Sequence, residues 1–278
     1  NSHNSLFEEV AKFRAARRIW ARLTADWYDA ESNGARKLKF HTQTAGQSLT
    51  AQQPLNNIAR VTVQALAAVL GGTQSLHTNS YDEALALPSE EAVRVALRSQ
   101  QILAEESGVG DIVDPLGGSF AVESLTDEVE TEAMAYIEEI REMGNGSMRE
   151  GVLAGIQEGY FQREIQESAY EYQQRVEADE ETVVGVNAYE TDEDTEPDIL
   201  TVDEDVQEHQ RERLATVKKK RDDEAVEAAL AELETVTRNG KNVVPAIVDA
   251  VKAYATMGEI MGVFEDQFGS YQETISAA

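Results

Sequence analysis

The sequence predicts an α/β fold: two strand-loop-helix units of a parallel sheet, followed by a mostly helical region. Three observations carry that reading. Nearly the same phrase occurs twice, KFHTQT at 39–44 and SLHTNS at 75–80, each a short β-compatible run that ends in small polar residues. A helical pattern follows each copy, and a strand-loop-helix unit that repeats is how a parallel sheet is built. Beyond about residue 125 apolar residues recur mainly at helical spacing.

The elements follow in order. A helix is expected over 5–29, opened by a Ser5–Glu8 capping box, with Leu6, Val10, Phe13, Ala16, Trp20, Leu23 and Trp27 on one stripe. Arg14, Arg17, Arg18 and Arg22 sit mostly off that stripe, as a solvated face or as a meeting point for a phosphate or an acidic partner. KLKFHTQ (37–43) is the first strand, and a helix at roughly 51–70 is apolar on more than one side, hence buried. TQSLHTN (73–79) is the second strand. A helical turn, YDEALALP, comes next, and Ser89 then caps a helix running to Gly108. GDIVDPLGGSF (110–120) is a loop. Helices are expected at 126–143, at 147–157 with a Ser147–Glu150 capping box, and at 159–177. ETVVGVNAY (181–189) reads as a strand and ETDEDTEPD (190–198) as a loop or linker. One long helix is expected over 203–237, and two short ones close the chain. The expected division is a βα part over 1–125 and a mostly helical part over 126–278, with an acidic linker near 190–205.

Composition excludes several functions. The 278 residues include 52 acidic and 24 basic side chains, a net charge of −28, which repels nucleic acid phosphates and anionic membranes. There is no cysteine, so disulfides and thiolate chemistry are out. No signal peptide or membrane-spanning run is recognisable, which fits the cytoplasm. The chain does not start with Met, which suggests a fragment or a processed piece.

The polar strand ends HTQTAG and HTNSYDE lie where a parallel barrel places its active site. Two strands cannot close a barrel, so the others sit on another polypeptide or the sheet is open. His41 and His77 hold equivalent places in the repeat, but no helical His-x-x-x-His and no third ligand supports a metal pair. Gln43 ends one strand and Gln74 begins the other; each amide serves either the backbone or a ligand. Gly46 is either a turn glycine or a place of close approach. Glu83 either accepts hydrogen bonds from sugar hydroxyls or meets a helix dipole. No catalytic residue and no metal ligand is assigned.

KFHTQTAGQSLTAQQPLNN, GGTQSLHTNSYDEALALP and EESGVGDIVDPLGGS together resemble the methylmalonyl-CoA mutase family, specifically its large catalytic subunits, and their close acyl-CoA mutase relatives. FEEVAKFRAARRIWA and ATMGEIMGVFEDQFG fit as well, and the acidic surface suggests a haloarchaeal member. The resemblance implies an adenosylcobalamin-dependent isomerase that works through homolysis of a cobalt–carbon bond and migration of the thioester group. It makes KLKFHTQ and TQSLHTN the last two strands of an incomplete TIM-type (β/α) barrel. Gly46, Glu83, Ala84, Ala86 and Leu87 would then face the cobalamin or its adenosyl group, with Glu83 on the ribose. Gln43 and Gln74 would lie near the acyl-CoA substrate. Departures accompany the likeness. The earlier strands are absent, with the family's substrate-clamping Tyr, Arg and His, and so is the Asp-x-His-x-x-Gly signature of its cobalamin-binding domain. The implied partners are the remainder of the barrel and a separate cobalamin-binding subunit or domain, without which the chain is inactive. The alternatives are a related branched acyl-CoA mutase of the isobutyryl-CoA type and a non-catalytic helical assembly module.

The charge yields a first prediction. High salt shortens the screening length to about 3 Å at 1 M and so relieves self-repulsion of an acidic surface. The thermal unfolding midpoint should rise with KCl, and full stability in low-salt buffer would contradict this.

Overall fold

The computed structural model describes residues 1–191, 199–201 and 204–271. The chain forms two compact units, Asn1–Leu200 and Thr201–Ala278. The compositional boundary expected at 125/126 falls inside a helix, Phe120–Met143, so contacts and composition divide the chain differently.

The first unit holds a small parallel sheet, β1 (His41–Gln43) beside β2 (Ser75–His77), in a helix-rich setting. The register pairs His41 with Ser75, Thr42 with Leu76 and Gln43 with His77. Ser2 makes an isolated parallel bridge to Thr44, at the end of β1. Both strands are shorter than expected. Before β1 a side chain supplements the backbone: the Gln74 amide donates to the Phe40 carbonyl at 3.1 Å, and the Phe40 amide donates to Gln74 Oε1 at 2.7 Å. The two histidines are staggered rather than level, since His41 faces Ser75 and His77 faces Gln43.

Helix α1 (Leu6–Tyr28) packs between α2 (Asn57–Leu70) and α4 (Phe120–Met143). Val10, Ala67 and Val122 form the apolar contact, flanked by Leu6, Leu70 and Leu116. Two neighbours require two buried faces, so Ala11, Ala15 and Ile19 are buried as well, whereas Trp20 lies largely outside and donates to the Ala35 carbonyl. Ser5 makes no side-chain cap; the expected capping box is replaced by a backbone bond from Glu9 to Ser5. The α1 arginines meet the chain's own acids. Arg14 binds Glu123 at 2.6 Å, Thr126 at 2.9 Å and Asp114 at 3.1 Å. Arg18 and Arg22 converge on Glu130, at 2.5 and 2.7 Å, and Glu130 itself is 6% exposed. The solvated face expected for Arg14 and Arg18 is therefore an ion-paired seam.

Ser89 caps α3 (Glu90–Glu105), its hydroxyl accepting from the Ala92 amide at 3.2 Å. Helices α5 (Met148–Gln157) and α6 (Tyr160–Glu177) follow. At the start of α5 only half of the expected box forms, from the Glu150 amide to Ser147. The stretch 181–189 is not a strand. Gly185, at φ +83°, turns the chain, and the Asn187 side chain takes bonds from Val183 and to Val176, so no partner strand is engaged. The expected linker falls largely on 192–198, outside the described residues.

In the second unit the long helix expected over 203–237 is two helices, α7 (Glu204–Lys220) and α8 (Asp223–Arg238). Asp222 stops the run and caps α8, accepting from the Ala225 amide. Leu233 packs with Ala246 and Ala250 of α9 (Val244–Lys252) and Ile260 of α10 (Met257–Phe268). Thr256 and Glu259 form a full capping box. Arg221 grips the same carboxylate with two bonds of 2.8 Å.

That grip has a pH consequence. The Arg221 guanidinium, and after it the Thr256 backbone amide, hold the Glu259 carboxyl well below the usual carboxylate range. A depressed folded value contributes stability that is full above the unfolded value of about 4.3 and is lost as pH falls below it. The second unit should therefore lose stability as pH falls from about 5, and Glu259→Gln should weaken it at neutral pH and flatten that dependence. Urea titrations from pH 3 to 7 test this, and equal slopes in both proteins would contradict it.

Candidate functional site

The two strands end at the same side of the sheet, and the loops that leave them meet there. After β1 the Thr44 amide still bonds back to His77, at 3.0 Å, and the Thr44 hydroxyl accepts from the Asn79 amide at 2.9 Å. The strand tips are thus fastened one residue beyond β1 and two beyond β2. A 3₁₀ turn, Gly46–Ser48, follows β1. After β2, residues 81–87 run in consecutive turns, with Leu85 and Ala86 both donating to the Asp82 carbonyl. The buried Asp82 carboxylate accepts from the Ser89 amide, 2.9 Å, and closes this loop into a ring.

Gly46 and Glu83 are side by side. A Cβ on Gly46 would lie 2.9 Å from Glu83 Oε1 and 2.7 Å from Asn79 Nδ2. Only glycine leaves that space open, and its φ is ordinary, so the need is for room and not for backbone freedom. Asn79 is 2% exposed. Its Oδ1 accepts from Gln43 Nε2 at 3.0 Å, while its Nδ2 is buried without a partner. An unpaired buried donor is rare in a finished core. Ala84 and Leu87 are exposed on the same loop and Ala86 is half-buried.

Of the residues singled out in the sequence, Gly46, Gln43 and Glu83 come together, and Ala84, Ala86 and Leu87 share the Glu83 loop. Gln74 does not join them. It lies at the other end of the strand pair, where its amide accepts from Phe40 and donates to the Gly72 carbonyl at 2.8 Å. The sequence places Asn79 at the end of the second strand and Asp82 in the helical turn after it, with no role for either. Their burial comes from the loops folding over them. His3 stands beside the Gly46 turn, 3.2 Å from the Ser48 hydroxyl, and burial pushes its imidazole below the usual value, which favours the neutral ring.

The two strands carry opposite surfaces. Thr42 and Thr44 are buried, and the Ala45 amide bonds the side chain of Gln64 from α2, 3.0 Å away. His41, Gln43, Ser75 and His77 are exposed on the other surface, where His41 Nδ1 and the Ser75 hydroxyl are 2.7 Å apart. No group of three metal-ligating side chains converges among the described residues. No helix among them is long and apolar enough to cross a membrane.

The crowding around Gly46 gives a direct test. Gly46→Ala should push the exposed Glu83 and the buried Asn79 away from their present positions, and the shift of Asn79 should cost about 1 kcal/mol, the lower end of overpacking. Calorimetry with a crystal structure of the variant checks this; an unchanged Glu83 position and unchanged stability would contradict it.

Comparison with known proteins supplies an independent finding. The sequence model of the methylmalonyl-CoA mutase family matches residues 1–270. The chain is 43% identical to the 2-hydroxyisobutanoyl-CoA mutase large subunit of Aquincola tertiaricarbonis, over 98% of this chain and 48% of that one. It is 42% identical to methylmalonyl-CoA mutase of Rhizobium meliloti, over 96% of this chain and 37% of the relative. Against the human mitochondrial methylmalonyl-CoA mutase the identity is 40%, over 96% and 35%. The chain therefore spans less than half the length of each of these relatives.

Proposed function

The chain belongs to the methylmalonyl-CoA mutase family, and from that membership we propose that it is the C-terminal part of an adenosylcobalamin-dependent mutase catalytic subunit interconverting methylmalonyl-CoA and succinyl-CoA. The observation that carries the reading is the meeting of Gly46 and Glu83 at two neighbouring strand tips. In this reading β1 and β2 are the last strands of a closed parallel barrel. The other strands and a cobalamin-binding subunit or domain come from outside the chain. The exposed polar surface of His41, Gln43, Ser75 and His77 departs from the apolar packing usual inside such barrels and would suit an interior that encloses a polar CoA chain.

The rim residues suit such a cofactor. Glu83 offers acceptor oxygens, Asn79 offers an unpaired donor, and Gly46 leaves the gap between them unfilled. An acceptor and a donor around a gap match the vicinal hydroxyls of a ribose. Ala84, Ala86 and Leu87 provide a small apolar ledge beside Glu83 that a flat ring system can cover. When bound, the cofactor supplies the radical that isomerisation needs. The protein's part is to bind, to orient and to keep water out. Gln43, at the rim, would face the acyl group, and Gln74, at the far end of the strands, would lie along the extended CoA chain.

The test is reconstitution. Co-expressed with the polypeptide that supplies the remaining barrel strands and with a small cobalamin-binding chain, the protein should convert methylmalonyl-CoA to succinyl-CoA only when adenosylcobalamin is present. The 278-residue chain alone should not turn over. Glu83→Ala should raise the adenosylcobalamin concentration needed for half-maximal rate at least tenfold. Turnover of 2-hydroxyisobutanoyl-CoA in place of methylmalonyl-CoA would redirect the substrate reading. Absence of turnover with both in the complete assembly would overturn the function.

A further inference from the structure

Two loops form the rim, and beyond the Thr44–Asn79 fastening at the strand tips one further buried side chain bonds both. Asn57, the first residue of α2, is 0% exposed. Its carboxamide reads the backbone of Thr50 on both edges: Oδ1 accepts from the Thr50 amide at 3.1 Å, and Nδ2 donates to the Thr50 carbonyl at 2.9 Å. The second hydrogen of Nδ2 goes to the Tyr81 carbonyl, 2.8 Å away. The second acceptor position of Oδ1 is taken by Arg60 Nη1, also at 2.8 Å. A carboxamide has two donors and two acceptor positions, and here all four are used.

The placement matters more than the count. Thr50 follows the 3₁₀ turn that begins at Gly46, and Tyr81 precedes Glu83 by two residues. Thr50 and Tyr81 belong to different loops, and Asn57 bonds the backbone of both. Arg60 reinforces one side only, through the Thr50 hydroxyl at 3.0 Å, while its other nitrogen reaches the Val184 carbonyl at 2.7 Å. A carboxylate at position 57 would keep the acceptors and lose both donors. A methyl group would leave three backbone groups unpaired in a dry place, which is costly.

We propose that Asn57 is a positioning residue that locks the Gly46 loop and the Glu83 loop into one rim, so that the two halves of the ligand site move together. That the rim is a cofactor site rests on the mutase reading; the coupling of the loops does not. The coupling is tested on the 278-residue chain by hydrogen–deuterium exchange with no ligand present. Asn57→Ala should raise exchange at least tenfold over both 46–53 and 80–89, while α4 and the second unit keep their rates. Arg60→Ala should loosen 50–53 and 183–189 and leave 80–89 alone. Should the alanine variant not fold, Asn57→Asp keeps the bonds from the Thr50 amide and Arg60, loses those to the Thr50 and Tyr81 carbonyls, and should release 80–89 more than 46–53. Unchanged exchange over 80–89 in the Asn57 variants, or an equal rise throughout the first unit, overturns the proposal. In the reconstituted enzyme Asn57→Asp should raise the adenosylcobalamin requirement about tenfold with kcat within twofold. A fall in kcat alone would contradict positioning, whereas loss of mutase activity in the wild type would sink only the functional reading and leave the exchange result to stand by itself.

Discussion

The rim depends on one interaction, the parallel pairing of His41–Gln43 with Ser75–His77 and its extension beyond the ladder. The register decides which loop residues meet. If the strands slipped by one residue, every side chain would change faces. The buried threonines Thr42 and Thr44 would then turn outward, and the polar surface of His41 and His77 would be driven inward. The fastening of Thr44 to Asn79 and of Gln43 to Asn79 fixes that register just where the chain leaves the sheet. Three-residue strands supply few ladder bonds, so the side chains of Thr44, Asn57, Gln64 and Asn79 hold what the backbone alone does not. The inner layer is polar for this reason, and nearly every group in it is paired. The exceptions are Asn79 Nδ2 and Asp82 Oδ1, both on the Glu83 side of the rim.

Charge acts at two levels. At the surface, a net −28 opposes compaction and is tuned by salt. Inside the first unit three arginines of one helix form an ion-paired seam. Arg14, Arg18 and Arg22 line α1 and neutralise acids of α4, including the nearly buried Glu130, so the helix that bears the β1 side of the unit is held to the helix that follows the loop at 110–119. Leaving Glu130 without its arginines would strand a carboxylate in a poorly hydrated place. The seam is thus a condition for packing and not an added source of stability.

Much of this was legible in the sequence because it depended on local chemistry. The duplicated phrase marked both strands, their common direction and the loops that carry Gly46 and Glu83. Ser89 announced α3, and the closing pair of helices was readable from spacing. What could not be read depended on partners distant in the chain. Ser5 had the right residue for a cap, but its turn is made by backbone, while the full box at Thr256–Glu259 shares its carboxylate with Arg221. VVGVNAY has strand composition, yet Gly185 and Asn187 let it close on itself and bind Arg60 and Gln53. The acids that meet the α1 arginines are about a hundred residues away. Gln74 shows the same limit: the residue type left backbone and ligand roles open, and only the register shows its amide occupied by Phe40 and Gly72.

The central claim is the register of β1 against β2, because the meeting of Gly46 and Glu83 follows from it. The chain has no cysteine, so an introduced pair reports without interference. Residues 43 and 77 are Cα partners in the register, and neighbouring strands stand about 4.8 Å apart, within the span a disulfide bridges. Under mild oxidation Gln43→Cys/His77→Cys should cross-link fast and nearly completely, whereas the displaced pair His41→Cys/His77→Cys should not. Equal cross-linking of both pairs, or preference for the displaced one, would contradict the account.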